Sequence, residues 1–232
     1  GTTGLVTFEN LILDGGYVRH ASGASDLFQL ADNLTLESSP TIDAAQGNIK
    51  ILANVAGTGT LNIPSTAFTV TLASPANTYT GNFNVAGRLA LAENADLKFA
   101  IGTNGTNNAI SGSATSIILD GVFQLDLTHA DSAVGNAWSL VSSSNTSYGD
   151  TCTVEGFTYA AGLWRNGNGF VFSQATGKVS VTAAPVTAKW AGNSSVSWAE
   201  NTNWSNAPST GDALQFGAAG TAGTILTDDL MT

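Results

Sequence analysis

There is little charge in this sequence, and little of it is positive. Only 10% of the 232 residues are charged, with 7 Lys and Arg against 17 Asp and Glu. The net charge of −10 and the scattering of the basic residues exclude a nucleic-acid partner, because no basic stripe exists to neutralise a run of phosphates. They equally leave nothing to hold an anionic membrane surface. The single cysteine, Cys152, excludes an internal disulfide framework. Far in sequence from both His20 and His129, it reads as a small buried apolar residue rather than a nucleophile. No apolar run is long enough to cross a membrane as a helix. No GxGxxG, P-loop, zinc-ligand spacing or nucleophile elbow is present. A convincing amphipathic helix of about ten residues is missing too; the nearest stretch, Leu89 to Phe99, alternates rather than spirals.

What is present is a short apolar run, a turn, and another short run, repeated. Asn54 to Asn94 shows it most clearly: Leu61 and Ile63, Phe68, Val70 and Leu72, Phe83 and Val85, and Leu89 and Leu91 each alternate with polar neighbours. Alternation of period two marks half-buried strands, and Gly, Asn, Ser and Pro punctuate them. Asp14-Gly15-Gly16 and Asp120-Gly121 read as turns between strands, and Phe28 to Leu36 as two short strands around Asp32-Asn33. The units ILDGGYVRH, TLESSPTID, NVAGRLALA and ILDGVFQLD recur at intervals of roughly 20 to 40 residues, the scale of solenoid coils. An antiparallel sandwich would show longer, cleaner strands with tight two-residue turns. The pattern therefore predicts an all-β fold, a right-handed parallel β-helix over residues 1–183. Its first residues already read as strand, as expected of a piece excised from a longer protein.

Aromatics become dense between Gly135 and Ala183, with Trp138, Tyr148, Phe157, Tyr159, Trp164, Phe170 and Phe172. A solenoid must close its apolar end, and large rings bury the most area per residue. This segment is predicted to be the C-terminal coil and an aromatic-rich cap. After a junction at Ala184 to Ala188, a Trp-rich segment over 184–232 starts afresh, either as the opening of a further unit or packed back on the helix.

Asn77-Thr78-Tyr79-Thr80-Gly81, the strand Arg88 to Leu91 after Gly87, and the G-x-G-x-L element at Ala56 to Ile63 resemble the autotransporter-associated β-strand repeat. The tail, with Trp190, Trp198, Asn203-Trp204, Pro208, Gly211-Asp212 and Phe216, is similar to the opening of a further unit in such proteins, where it would precede residues such as Gly1 to Ala21. That resemblance implies β-solenoid architecture in a secreted or surface protein of bacteria that handle polysaccharides, an extracellular location, and tryptophans that are mostly core. In pattern more than in motif, the chain is also similar to the β-helical xylan-binding modules attached to plant-cell-wall hydrolases of gut bacteria. That second likeness implies a polysaccharide partner, xylan or a related plant glycan, and an attached catalytic domain.

Sugar binding needs flat ring faces for C–H surfaces, bordered by polar groups. Trp138, Tyr148, Tyr159 and Trp164 are the candidates, with Arg165 beside Trp164 and Asp150 near Tyr148. Tyr17, with Arg19 and His20, forms a second group, and Tyr79 a third. For each ring the competing role is packing. Catalysis is not expected. The carboxylates are dispersed, and neither Asp120 with Asp126 nor Asp228-Asp229 matches a signature. No cofactor is expected beyond a structural calcium held by Asp and Asn at a turn. Two functions follow: a non-catalytic carbohydrate-binding module that concentrates an attached enzyme on its substrate, or a solenoid stalk with no ligand of its own. Burial of Trp138, Tyr148 and Trp164 together would favour the stalk.

Overall fold

A computed structural model describes residues 3–21, 26–183, 187–195, 197–208 and 212–216. Residues 184–186 of the expected junction, Gly211, Asp228 and Asp229 lie outside them. The described residues fall into two compact units, one running to Asn166 and including Phe170–Thr182, the other made of Gly167–Gly169 and the residues from Ala183 onward.

The first unit is a parallel β-solenoid of about eight turns. Its strands fall into three stacks. One stack runs through Thr3–Asp14, Leu27–Glu37, Asn48–Ile51, Thr69–Leu72, Arg88–Leu91, Ser116–Leu119 and Thr146–Tyr148. A second contains Tyr17–Arg19, Thr41–Asp43, Leu61–Ile63, Phe83–Val85 and Ile110–Ser111. A third forms from Asp96–Ala100, Val122–Asp126 and Thr153–Val154, with Asn54–Gly57 pairing the end of Leu27–Glu37 on an earlier turn. Turn length is not constant: 19 residues separate Val70 from its partner Leu89, and 29 separate Ile117 from Thr146.

Parallel stacking places like residues over like. Leu30, Ile51, Leu72, Leu91 and Leu119 form one inward column, and Ile49, Val70, Leu89 and Ile117 another. These are the alternate apolar positions of the sequence, and they are buried throughout. The intervening residues face outward. The strand boundaries differ in one respect from the sequence reading. Phe28 to Leu36 lies in a single strand, Leu27–Glu37, bent where Asp32 takes φ 75°. Its two halves pair with two different strands of the next turn, so the bend is a corner of the coil rather than a chain reversal.

The C-terminal end closes differently from a further coil. Thr158–Ala160, Leu163–Arg165, Phe170–Ser173 and Lys178–Val181 form an antiparallel meander, and Ala137–Ser139 joins its far edge. The meander lays rings across the last turns. Phe172 packs against Phe123 at 5.4 Å and Tyr148 at 6.0 Å, and Phe170 against Trp138 at 6.0 Å. The aromatic-rich cap is thus present, as a β-meander.

The second unit pairs Thr187–Trp190 in parallel with Ala213–Phe216. Trp190 and Trp204 are buried in it, with ring centroids 5.2 Å apart, and Trp198 packs against them. Asn203, fully buried, organises the loop: its Oδ1 accepts from the Ser194 and Ser195 backbone N–H groups at 2.8 and 3.0 Å. Its Nδ2 donates to Ser195 Oγ and the Ser197 carbonyl.

Candidate functional site

Most of the rings proposed from sequence are turned inward. Tyr79 and Trp138 are each only 1% exposed and cannot offer a face to a sugar. Trp138 donates its indole N–H to the Thr103 carbonyl at 2.9 Å, which anchors a loop to the cap. Trp164 is buried between Tyr159 and Phe172 of its neighbouring strands. Tyr148 occupies the position after Leu119 in the inward column, so its ring continues the core. Its hydroxyl is buried without a partner, and burial pushes its pKa upward. Tyr148 also lines a recess of about 290 Å³ with Ser142, Ser143, Thr146, Gln174 and Thr176. Tyr79, Trp138 and Trp164 are corrections to the glycan-binding set, whereas Tyr148 is half-buried and lines the recess. In an aromatic-dense segment, the parity that decides in from out is set by the strand a residue pairs with, not by its own neighbours.

The signature around Tyr79 is structural. Asn77 Oδ1 accepts from the Val55 N–H at 2.9 Å, on the preceding turn. Its Nδ2 donates to the carbonyls of Ser74 and Asp96, at 3.1 and 2.9 Å. One buried amide therefore ties successive turns together. The Tyr79 hydroxyl accepts from the Leu61 N–H at 3.1 Å and lies against the Gly59 and Asn82 carbonyl oxygens. Burial raises its pKa. Gly81 must lack a side chain, because a β-carbon there would overlap the Gly59 carbonyl and the Tyr79 hydroxyl. Asn108 repeats the bracket one turn later, bonding the Ala100 N–H and the Lys98 and Gly81 carbonyls. Asn108 sits in a stretch, Asn104 to Asn108, whose composition signals only a loop. We expect Asn77→Ala to lower unfolding free energy by about 2–4 kcal/mol, since three buried bonds lose a partner. Asn84→Ala, on the exposed face, should cost less than about 1 kcal/mol. Urea unfolding midpoints compare the two.

Two candidate rings do face solvent: Tyr17 is 57% exposed and Tyr159 is 53% exposed. Tyr159 leans on Trp164, its centroid 5.0 Å away, with Arg165 half-buried on the next strand and Asp150 exposed elsewhere. Tyr17 belongs to a built cluster. Tyr17 and Arg19 point outward on either side of inward Val18, and Asp43 stands opposite Arg19 on the next turn. The Tyr17 hydroxyl donates to Asp43 Oδ2 at 2.5 Å, and Arg19 Nε approaches the same oxygen at 3.4 Å. Hydrogen bonding to that carboxylate raises the Tyr17 pKa. Asp43 is itself buried, so Arg19 supplies the compensating charge. His20 turns away toward Phe28, 6.0 Å between centroids, with Nδ1 buried and unpartnered. Thr41, Asn62, Asn84 and Ser111 continue the outward column above Tyr17, and Asn84 Nδ2 donates to Asn62 Oδ1 at 3.0 Å. Tyr17 on the first turn and Tyr159 in the cap are separated by the height of the stack, roughly 30 Å at the usual strand spacing. They do not form one site.

The acidic and thiol groups are held in structural roles. Asp120 Oδ1 accepts from the Thr151 hydroxyl at 2.7 Å. Hydrogen bonds from Thr128, with Lys98 at 3.1 Å, hold the Asp126 carboxyl down at about 2. Burial pushes the Cys152 thiol up to about 11, so it stays protonated at neutral pH and is a poor nucleophile. Among the described residues no cluster of three or more His, Cys, Asp or Glu is arranged to hold a metal ion. No protein-family model, curated protein or solved structure matches the chain.

Proposed function

We propose that this chain is a non-catalytic β-solenoid scaffold, a spacer segment of a secreted or surface bacterial protein. The observation that supports it is the fate of the rings: Trp138, Trp164 and Tyr79 are buried in the core or the cap, and Tyr148 packs half-buried against the core. A scaffold requires a regular stack and inter-turn brackets, and no exposed row of aromatics. The low charge and small polar outer residues suit a surface that associates with little. Affinity electrophoresis against xylans, glucans, mannans and pectins tests the reading. A scaffold should migrate unretarded through all of them.

The exposed Tyr17 ring, with Arg19 and Asp43 fixed beside it, favours a second reading. There the chain binds a plant polysaccharide, xylan first among them, and holds an attached hydrolase on its substrate. In that case xylan should retard the protein and Tyr17→Ala should abolish the retardation without moving the melting temperature by more than about 2 °C. Retardation that survives Tyr17→Ala would place binding elsewhere and discard the Tyr17 cluster.

A further inference from the structure

The recess beside Tyr148 lies where the coil meets the cap. One wall is the segment 141–148, and the other is the turn 174–177 between the meander strands Phe170–Ser173 and Lys178–Val181. Backbone bonds set the gap between them. The N–H groups of Leu140 and Val141 both donate to the Gly177 carbonyl, at 2.9 and 3.0 Å. Gly177 in turn donates to the Ser173 carbonyl at 2.8 Å, and the Thr146 hydroxyl donates to the Ser143 carbonyl at 2.9 Å. Both walls are thus held in place beforehand, which spares a ligand the cost of ordering them.

The lining is polar and uncharged. It contains no Lys, Arg, His, Asp or Glu. A charged ligand would lose its water there without gaining a counter-charge. A wholly apolar ligand would strand the lining hydroxyls instead. Those of Ser143, Ser144 and Thr176 have no hydrogen-bond partner among the described residues. The Tyr148 hydroxyl is shut off from solvent and equally unpartnered. Buried polar groups in folded proteins are paired, so this O–H calls for a partner that the chain does not supply. Gln174 stands close by: its side chain bonds the Cys152 thiol, and Cys152 is near enough to Tyr148 to act on its hydroxyl.

Size narrows the ligand further. About 290 Å³ is the lower end of the range for small-molecule sites, which suits one sugar ring rather than a length of chain. Tyr148 and Val141 supply apolar surface for ring C–H groups beside the hydroxyls.

We propose that this recess binds a single neutral pyranose, free or at the end of a glycan, and that a sugar hydroxyl is the missing partner of the Tyr148 hydroxyl. The site goes beyond the scaffold reading and shares no residue with the Tyr17 cluster. Electrophoresis in polysaccharides reads long chains with few ends, so unretarded migration leaves this site standing, and failure of this site leaves the scaffold reading intact.

Amide NMR of the full chain tests it, with titration to about 20 mM of the methyl pyranosides of glucose, galactose, mannose and xylose, a span that covers dissociation constants of millimolar order. At least one should give saturable shifts of amides in 141–148 and 174–177 while those of Asn48–Ile51 stay in place. Glycerol, an acyclic polyol, and glucuronate, a charged sugar, should leave all of them unmoved. Tyr148→Phe keeps the ring and removes only a hydroxyl that bonds nothing in the protein, so the melting temperature should stay within about 2 °C of wild type. Its dissociation constant should rise about fivefold or more, the loss of one hydrogen bond. Thr176→Val, on an exposed turn, should weaken binding in the same way. The absence of saturable shifts with every pyranoside would overturn the proposal. So would shifts confined to other residues, equal shifts from glycerol or glucuronate, or a folded Tyr148→Phe protein that binds like the wild type.

Discussion

Val85→Asp should lower the unfolding free energy by about 4–5 kcal/mol at neutral pH, enough to consume much of a typical domain's stability. Val85 is fully buried, stacked over Ile63 of the preceding turn in an apolar column. A carboxylate there has no cation within the column, and a buried unpaired charge is among the most costly single changes. The variant should also acquire a distinctive pH dependence. Burial raises the folded-state pKa of the new carboxyl above its unfolded value near 4. The charge penalty is then absent below the unfolded pKa and grows as pH rises toward the folded one. Acidification from pH 7 to about pH 4 should narrow the gap to wild type. Asn84→Asp, one residue away and outward, should stay within about 1 kcal/mol of wild type. Chemical denaturation at both pH values reads all three effects. A Val85→Asp protein that melts like wild type would mean that the strand Phe83–Val85 faces the other way.

Phe172→Ala should cost about 3–5 kcal/mol and act on the cap before the rest of the coil. Phe172 is fully buried in the meander and is the ring through which the cap contacts Phe123 and Tyr148 of the underlying turns. Its removal leaves a cavity and loosens the cover of an apolar end. Stability in stacked repeats is a sum of nearest-neighbour terms, so the loss should spread from that end rather than strike the stack uniformly. Hydrogen exchange should show the amides of Phe170–Ser173 and Lys178–Val181 losing protection first, with increased binding of an apolar dye. Tyr159→Ala, at an exposed ring on the meander's edge, should leave exchange in the coil unchanged. If Phe172→Ala exchanges like wild type throughout, the meander does not serve as a cap.

Much of the first unit was legible because its cause is local. Alternation at Leu61 and Ile63, Val70 and Leu72, and Leu89 and Leu91 marks strands with one buried face, and those side chains are the buried columns. The Asp-Gly corners were legible too: Gly15 takes φ 67°, a conformation open to glycine at little cost. Asn77-Thr78-Tyr79-Thr80-Gly81 was visible as a motif but not as a mechanism. Its work lies in bonds to Val55, Leu61 and Asp96, each on another part of the coil or another turn.

By itself the sequence determined that the chain is built of short strands, which alternate positions are apolar, where most corners fall, and that acidic residues outnumber basic ones. These follow from side-chain period, backbone freedom and composition, which act within a few residues. Tertiary structure alone decided that the strands stack in parallel on partners 19 to 31 residues away. It decided that Tyr148 completes a leucine column, that Trp138 and Trp164 close the cap, and that Tyr17 remains outside beside Asp43. It also set a bulge in the strand Thr3–Asp14, between Phe8 and Leu11. A ring's direction depends on which strand lies beside it, and that partner is chosen by stacking across the coil rather than by neighbours along the chain.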